Sequence, residues 1–427
     1  MSATVVQRSL PSRYAQLGLG LVAMMAISSP QYVWTLFVKP FQTATGGTLP
    51  AIQITFSLLI VLQTWLSPFQ GWLIDRFGAR FLITLGCVLS GLGWIASAGI
   101  ANVAGLYLTY GLFCGVGTGI VYIGIVGLML KWFPDRRGLA TGVVAAGYGF
   151  GAILTTFPID TMIKASGYQA TLIAFGIILG GIGALAGLFM RQPPEFAEAS
   201  VQKTPAAGIP PGVPPGVTLD VTLDVTPWAM LRTPVFWLLF IMMTMMSTGG
   251  LMVISQFAPF MRSFGIADLT IFGMAALPFA LTLDRITNGL TRPFFGWLSD
   301  RIGRENTMLI AFSTEAAAVL LMLSARDDAL LFALMSGVVF FGWGEIFSLF
   351  PSTLTDTFGA KDATTKYGFL YMAQGIGSVL GGPVAALLHD VTGSWVPVFI
   401  TIIVMDALTA LLAFFVLRPM RAAYLAR

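Results

Sequence analysis

Four residues in one stretch carry chemistry that an apolar chain would otherwise avoid: Asp284, Arg285, Asn288 and Arg292, the last within NGLTRPFFGW. A guanidinium stays charged in any protein environment and presents a planar fork of donors that matches a carboxylate two bonds at a time. Asp284, Asn288 and Arg292 recur at four-residue spacing and so share one helix face. Asn288 cannot neutralise Arg292, which leaves that charge free for an anion; a salt bridge to Asp284 or Glu345 is the competing reading. Arg285 points about 100° away from Asp284 and reads as a structural cation partnered by Glu345. Asp284 reads as an outer-cavity residue, and Asp284 or Glu345 is suited to carry a coupling proton.

A second set of charges is duplicated. PFQGWLIDRFG at 68–78 aligns with PFFGWLSDRIG at 293–303, a shift of 225 residues with eight of eleven positions identical. Each copy places a carboxylate beside cations: Asp75 with Arg76 and Arg80, Asp300 with Arg301 and Arg304. Carboxylates at helix ends can pair with guanidinium groups and with neighbouring helix termini, so these residues are expected to form a latch that opens and closes. Gly71 and Gly296 in the same motif allow close helix approach. At the repeat shift, Arg292 corresponds to Ser67, so the architecture itself does not require a cation there.

The elements that must hold these groups are membrane helices. Of 427 residues, 56% are hydrophobic and only 10% charged, with mean hydropathy +0.84. A soluble chain carries about 25% charged residues. Twelve runs are long and apolar enough to span a bilayer, at about 14–40, 49–74, 80–100, 104–131, 136–163, 170–190, 233–262, 268–299, 305–324, 328–354, 364–390 and 394–417. With both termini cytoplasmic, seventeen Lys and Arg fall on the inner side, four on the outer, and Arg285 and Arg292 within a span. That imbalance predicts an in-in topology. Residues 1–190 and 233–427 form two six-helix parallel repeats, joined by a Pro-rich cytoplasmic linker at 191–232. The N-terminal segment is polar and runs straight into a full-length span, so no cleaved signal peptide is expected there.

These motifs resemble those of the major facilitator superfamily, and within it the oxalate–formate antiporter branch, related to the monocarboxylate transporters. The resemblance rests on the duplicated loop together with SSPQYVWTLF, GIVY, KWFPDRRGLATG, NGLTRPFFGW, GWGEIFSLFPST and KYGFLYMAQGIGS, and covers nearly the whole chain outside the linker. It implies that Arg292 binds the substrate carboxylate, with Gln31, Tyr32, Gln53, Tyr122 and Trp343 lining the cavity. Three positions depart from the antiporter pattern: Gln374 replaces a lysine, Tyr371 a tryptophan and Phe347 a tyrosine. Asn288 replaces the aspartate of animal monocarboxylate transporters. With one cation assigned to the cavity, monocarboxylates are expected to bind better than oxalate.

The expected protein is therefore a multi-pass inner-membrane carrier of small carboxylates, an exchanger or a proton symporter, working as a monomer without cofactor, metal or nucleic acid. An anion channel would need charged rings, which a solitary Arg292 does not supply. An enzyme would need paired catalytic groups. The chain has one histidine, His389, read as a helix-end residue, and two cysteines, Cys87 and Cys114, both in apolar runs. Glycines such as Gly111, Gly115, Gly119 and those of AAGYGFGA at 145–152 read as helix-packing positions.

Overall fold

The structure, a computed structural model, describes residues 12–193 and 225–426. Most of the linker expected at 191–232, including its duplicated PPGV, lies outside the described residues. The apolar runs fold as helices because only a helix satisfies its own backbone in lipid. Several start on side-chain caps: Thr48 accepts from the Ala51 N–H, Asn102 from Gly105, Thr233 from Phe236 and Asp328 from Leu331.

Among the described residues there are twelve long helical segments, counting each bent pair once. α1 is Arg13–Tyr32 continued at a 47° bend as Trp34–Thr45, and α2 is Leu49–Trp65 continued at 51° as Ser67–Phe77. α3 is Ala79–Ser97 and α4 is Val103–Trp132. The helical run Arg137–Phe189 is broken by non-helical backbone at Gly167 (φ 82°), giving α5 (137–166) and α6 (168–189). α7 is Pro234–Ser263, α8 Ala276–Ile302, α9 Arg304–Ser324, α10 Ala329–Phe358, α11 Ala363–Thr392 and α12 Val396–Leu425. α8 is the least apolar, since it carries Asp284, Arg285, Arg292, Asp300 and Arg301. It also begins later than expected. Residues from Thr270 to Ala275 form a small antiparallel hairpin, with Gly273 at φ 82°, instead of the first turns of the helix.

The duplicated motif ends both second helices in the same way. Gly78 (φ 95°) and Gly303 (φ 93°), 225 positions apart, take the left-handed backbone that stops α2 and α8. Glycines also set how closely the halves meet. A Cβ on Gly142 of α5 would collide with the Arg292 carbonyl of α8, and one on Gly138 with the Gly296 carbonyl. On the other side, a Cβ on Gly71 of α2 would lie 2.6 Å from the Thr364 carbonyl of α11. Gly115 and Gly119 give α4 a similar fit against α2, 2.8 Å from the Leu59 and Gln63 carbonyls. The outer surface is apolar, with Phe81, Ile177, Phe189, Leu387 and Phe415 exposed, as a lipid-facing surface must be.

Candidate functional site

A cavity of about 450 Å³ lies between the halves, walled by α1, α4, α5, α7, α8, α10 and α11. Arg292 lines it and is 2% exposed. Close packing of α5 on α8 at Gly142 brings the Ala145 carbonyl to its Nη1, which donates at 2.5 Å. Nη2 donates to Asn288 Oδ1 at 3.2 Å, and Nε has no partner among the described residues. The guanidinium carbon sits 4.6 Å from the Phe347 ring centroid. Among the described residues Arg292 has no ion pair, so the competing salt bridge to Asp284 or Glu345 does not form.

Aromatic rings surround the cation. Tyr122 of α4 stacks on Tyr371 of α11 at 5.0 Å and meets Tyr148 of α5 edge-on at 5.3 Å. Tyr148 donates to Gln31 Oε1 at 2.6 Å and tilts against Tyr32. Tyr371 accepts from Gln63 Nε2 at 3.2 Å. Trp343 is buried, donating from Nε1 to the Met246 carbonyl at 2.9 Å; it fits only because Gly250 beside it has no side chain.

The structure brings together Gln31, Tyr32, Tyr122, Trp343, Tyr371, Gln374, Asn288 and Arg292 around this one space, with Asp284 and Arg285 beside them. Gln53 is not among the lining residues; its Oε1 accepts from Trp34 Nε1 at 3.2 Å. Glu345 is fully buried outside the lining and makes no ion pair with Arg285, which is exposed and faces the cavity. The reading of Arg285 as a partner of Glu345 is thus corrected: Glu345, between Ala329–Trp343 and Ile346–Phe358 of α10, is buried and outside the cavity lining, while Arg285 is exposed within it. Asp284 accepts from Ser336 at 2.9 Å and leaves Oδ2 without a partner. Tyr148 was not recognisable as a site residue, because it sits within a glycine-rich run read as packing.

One end of the cavity is sealed by the duplicated motifs. Asp300, on the second half, accepts from the Gly138 and Leu139 N–H groups at the start of α5, at 3.0 and 2.8 Å. Asp75, on the first half, accepts from the N–H and hydroxyl of Thr365 at the start of α11, both at 2.8 Å. Each half thus caps a helix N-terminus of the other, where a carboxylate is favoured by the helix dipole. The cations differ from expectation. Lys131 pairs with Asp75 at 2.9 Å and Arg304 with Asp300 at 2.6 Å, while Arg76 lies over Trp72 and Arg301 over Trp297. Arg80 is exposed and makes no ion pair among the described residues. Asp356 ties the halves once more, between Arg304 and Arg137, both at 2.8 Å. The cavity lining also includes Leu281 and Arg285, both exposed.

Twelve helices in duplicated halves around a cavity closed at one end match a known family. A model of the Major Facilitator Superfamily fits residues 17–289 and 277–425. This chain belongs to the major facilitator superfamily. It is a multi-pass membrane transporter, not an enzyme. It is 32% identical over 408 residues to the oxalate:formate antiporter of Oxalobacter formigenes, covering 95% of this chain and 90% of that one. It is 24% identical to monocarboxylate transporter 13 of Bos taurus over 82% of this chain and 77% of that one. The fold of this superfamily member is shared with the Escherichia coli fucose:proton symporter, at TM-score 0.69 and 16% identity over 95% and 99% of the two chains. The proton:xylose symporter XylE gives TM-score 0.68 and 12% identity, over 95% and 96%.

Proposed function

We propose that this transporter carries small carboxylate anions by alternating access, with Arg292 as the group that binds the carboxylate. The observation that supports this most is the state of that guanidinium: buried, between the halves, and without an ion pair among the described residues. A buried unpaired cation is costly in a membrane and needs a counter-charge. Its Nε–Nη2 edge carries one N–H with no partner and another held only by a neutral amide at 3.2 Å, so a carboxylate can take both. Tyr122, Tyr148, Tyr371 and Phe347 then wall the substrate body, and Gln31, Asn288 and Gln374 offer amides to it.

In this reading the latched face is cytoplasmic and both termini lie on that side. The cavity opens outward while Asp75 and Asp300 hold their helix ends, and it opens inward once they let go. The chain works as a monomer. Counterflow of labelled formate or lactate in proteoliposomes tests the assignment. Arg292→Lys keeps the charge but gives up the paired donors, so affinity should fall about 10- to 150-fold, one charge-assisted bond of about 1.5–3 kcal/mol. A lysine variant with wild-type affinity overturns the clamp.

A further inference from the structure

Arg285 lines the same cavity as Arg292 but takes no part in the anion site described above. Its place on α8 is specific. It lies seven residues before Arg292, which sets the two about two turns apart, about 20° from alignment on one helix face and about 10.5 Å along the axis. Neither guanidinium has an ion pair among the described residues. Arg292 is buried, whereas Arg285 is exposed. Asp284 is the only carboxylate in that lining among the described residues, and it does not serve Arg285. Its side chain leaves the helix about 100° away, is buried, and accepts from Ser336 of α10. The repeat shows that the fold asks for neither cation. At the 225-residue shift Arg285 pairs with Ile60, as Arg292 pairs with Ser67. A cation kept within a membrane span is costly unless it serves a wet cavity or a ligand.

Much of the remaining wall is hydrocarbon: Ile153 of α5, Leu251, Ile254 and Phe257 of α7, Leu281 of α8 and Phe340 of α10. Part of that wall stands level with Arg285. α5 runs antiparallel to α8, with Gly138 on Gly296, Gly142 on Arg292 and Phe150 on Gly289, so Ile153 falls beside the stretch from Leu281 to Arg285. Walls of this kind suit a chain of methylenes, with the few charged groups fixing its ends. A space of about 450 Å³ also holds more than a formate or an oxalate.

The spacing of the cations sets a length. A charge-assisted bond takes up about 2.8 Å at each guanidinium, so a ligand lying along α8 needs its end oxygens about 5–10 Å apart. An extended chain advances about 1.2 Å per bond, which puts the end oxygens of a four- to six-carbon dicarboxylate about 6–8 Å apart and those of oxalate only about 3.6 Å apart. We propose, on the carboxylate reading above, that the cavity takes an α,ω-dicarboxylate of about four to six carbons, one end clamped by Arg292, the other held by Arg285, and the methylenes against the apolar wall. Two carboxylates then meet two guanidinium groups, so neither end is left unpaired. The Arg285 end is the wetter and the weaker, worth up to about fivefold in affinity as an exposed pair.

Dissociation constants of the purified protein for formate, oxalate, glutarate, adipate, pentanoate and hexanoate, at a pH where every carboxylate is ionised, separate the second charge from the chain that carries it. Glutarate and adipate are expected to bind about fivefold tighter than the monocarboxylate of equal length, and tighter than oxalate. Both advantages should vanish in Arg285→Gln and survive in part in Arg285→Lys. Labelled glutarate should exchange in proteoliposome counterflow. A field from Arg285 without a bridge would act on every dianion alike, so an unchanged oxalate-to-glutarate ratio in Arg285→Gln overturns the proposal. Wild-type protein that binds glutarate no better than pentanoate also overturns it, and leaves the carboxylate reading standing if formate or pentanoate binds. Glutarate that binds without counterflow is an inhibitor, which overturns its place as cargo. Failure of folded wild-type protein to bind any of these acids overturns both readings. The wild-type series decides the matter even if the glutamine variant does not fold.

Discussion

Removing the charge of Asp300 should shift the transporter toward the state in which the latched face is open. Asp300 makes two bonds to backbone N–H groups of α5 and one to Arg304, so the carboxylate serves three donors at once. In Asp300→Asn one oxygen becomes an NH2 group, so one of the two bonds across the halves is lost and the other loses its charge assistance. A charge-assisted hydrogen bond contributes about 1.5–3 kcal/mol net, which corresponds to a population shift of about 10- to 150-fold. Arg304 keeps its second carboxylate, Asp356, so the damage stays local. The shift can be read with a cysteine at Gly149, which lines the cavity and where an added Cβ meets nothing within 4 Å. Cys87 and Cys114 are buried and give little background. Labelling of Gly149→Cys by an impermeant maleimide from the latched face should rise with Asp300→Asn, and labelling from the other face should fall. Binding of carboxylate to the accessible state should persist. Unchanged labelling together with lost binding would place Asp300 in the substrate site and refute the latch.

Three further outcomes follow from the same geometry. Formate or lactate should compete better than oxalate, because Arg285 lies about 10.5 Å along α8 from Arg292 and the adjoining carboxylates of oxalate cannot reach both; oxalate binding tenfold tighter would contradict this. Gln374→Lys should shift preference toward dianions, since Gln374 lines the cavity and its buried Oε1 has no partner; an unchanged oxalate-to-formate ratio would remove residue 374 from the site. Gly142→Ala should drive α5 and α8 apart at the Arg292 carbonyl and, like Asp300→Asn, increase labelling from the latched face, without removing any charge; unchanged labelling would show that the two helices can absorb a methyl group.

Arg292 was legible because a permanent charge in an apolar run is expensive and its repeat partner is Ser67. The latch carboxylates were legible for a similar reason, since the same motif recurs at a fixed shift. Their partners were not. Thr365, Gly138 and Leu139 bind through backbone N–H groups, which no side-chain pattern reveals, and Lys131 lies 56 residues from Asp75. Gln53 rested on resemblance alone, and its Oε1 instead accepts from Trp34 Nε1. Tyr148 was hidden by its glycine neighbours, whose packing role was the stronger signal. The late start of α8 was invisible because residues 268–275 are as apolar as a helix end, and only backbone geometry at Phe272 and Gly273 marks the turn.

The exchange of carboxylates between the two halves has a mechanical consequence. A single tether would leave each half free to swivel about it, and the seal could loosen gradually. Two tethers on opposite flanks, Asp300 of α8 to α5 and Asp75 of α2 to α11, resist rotation from either side. Letting go of one strains the other without opening a path. With Asp356 joining the halves a third time through Arg137, resistance to opening rises until all the ties yield and then drops abruptly, which makes the gate behave as a snap fastener. Such a gate disfavours half-open shapes, the shapes through which ions would leak, so a membrane carrying many copies of this protein would keep its gradients.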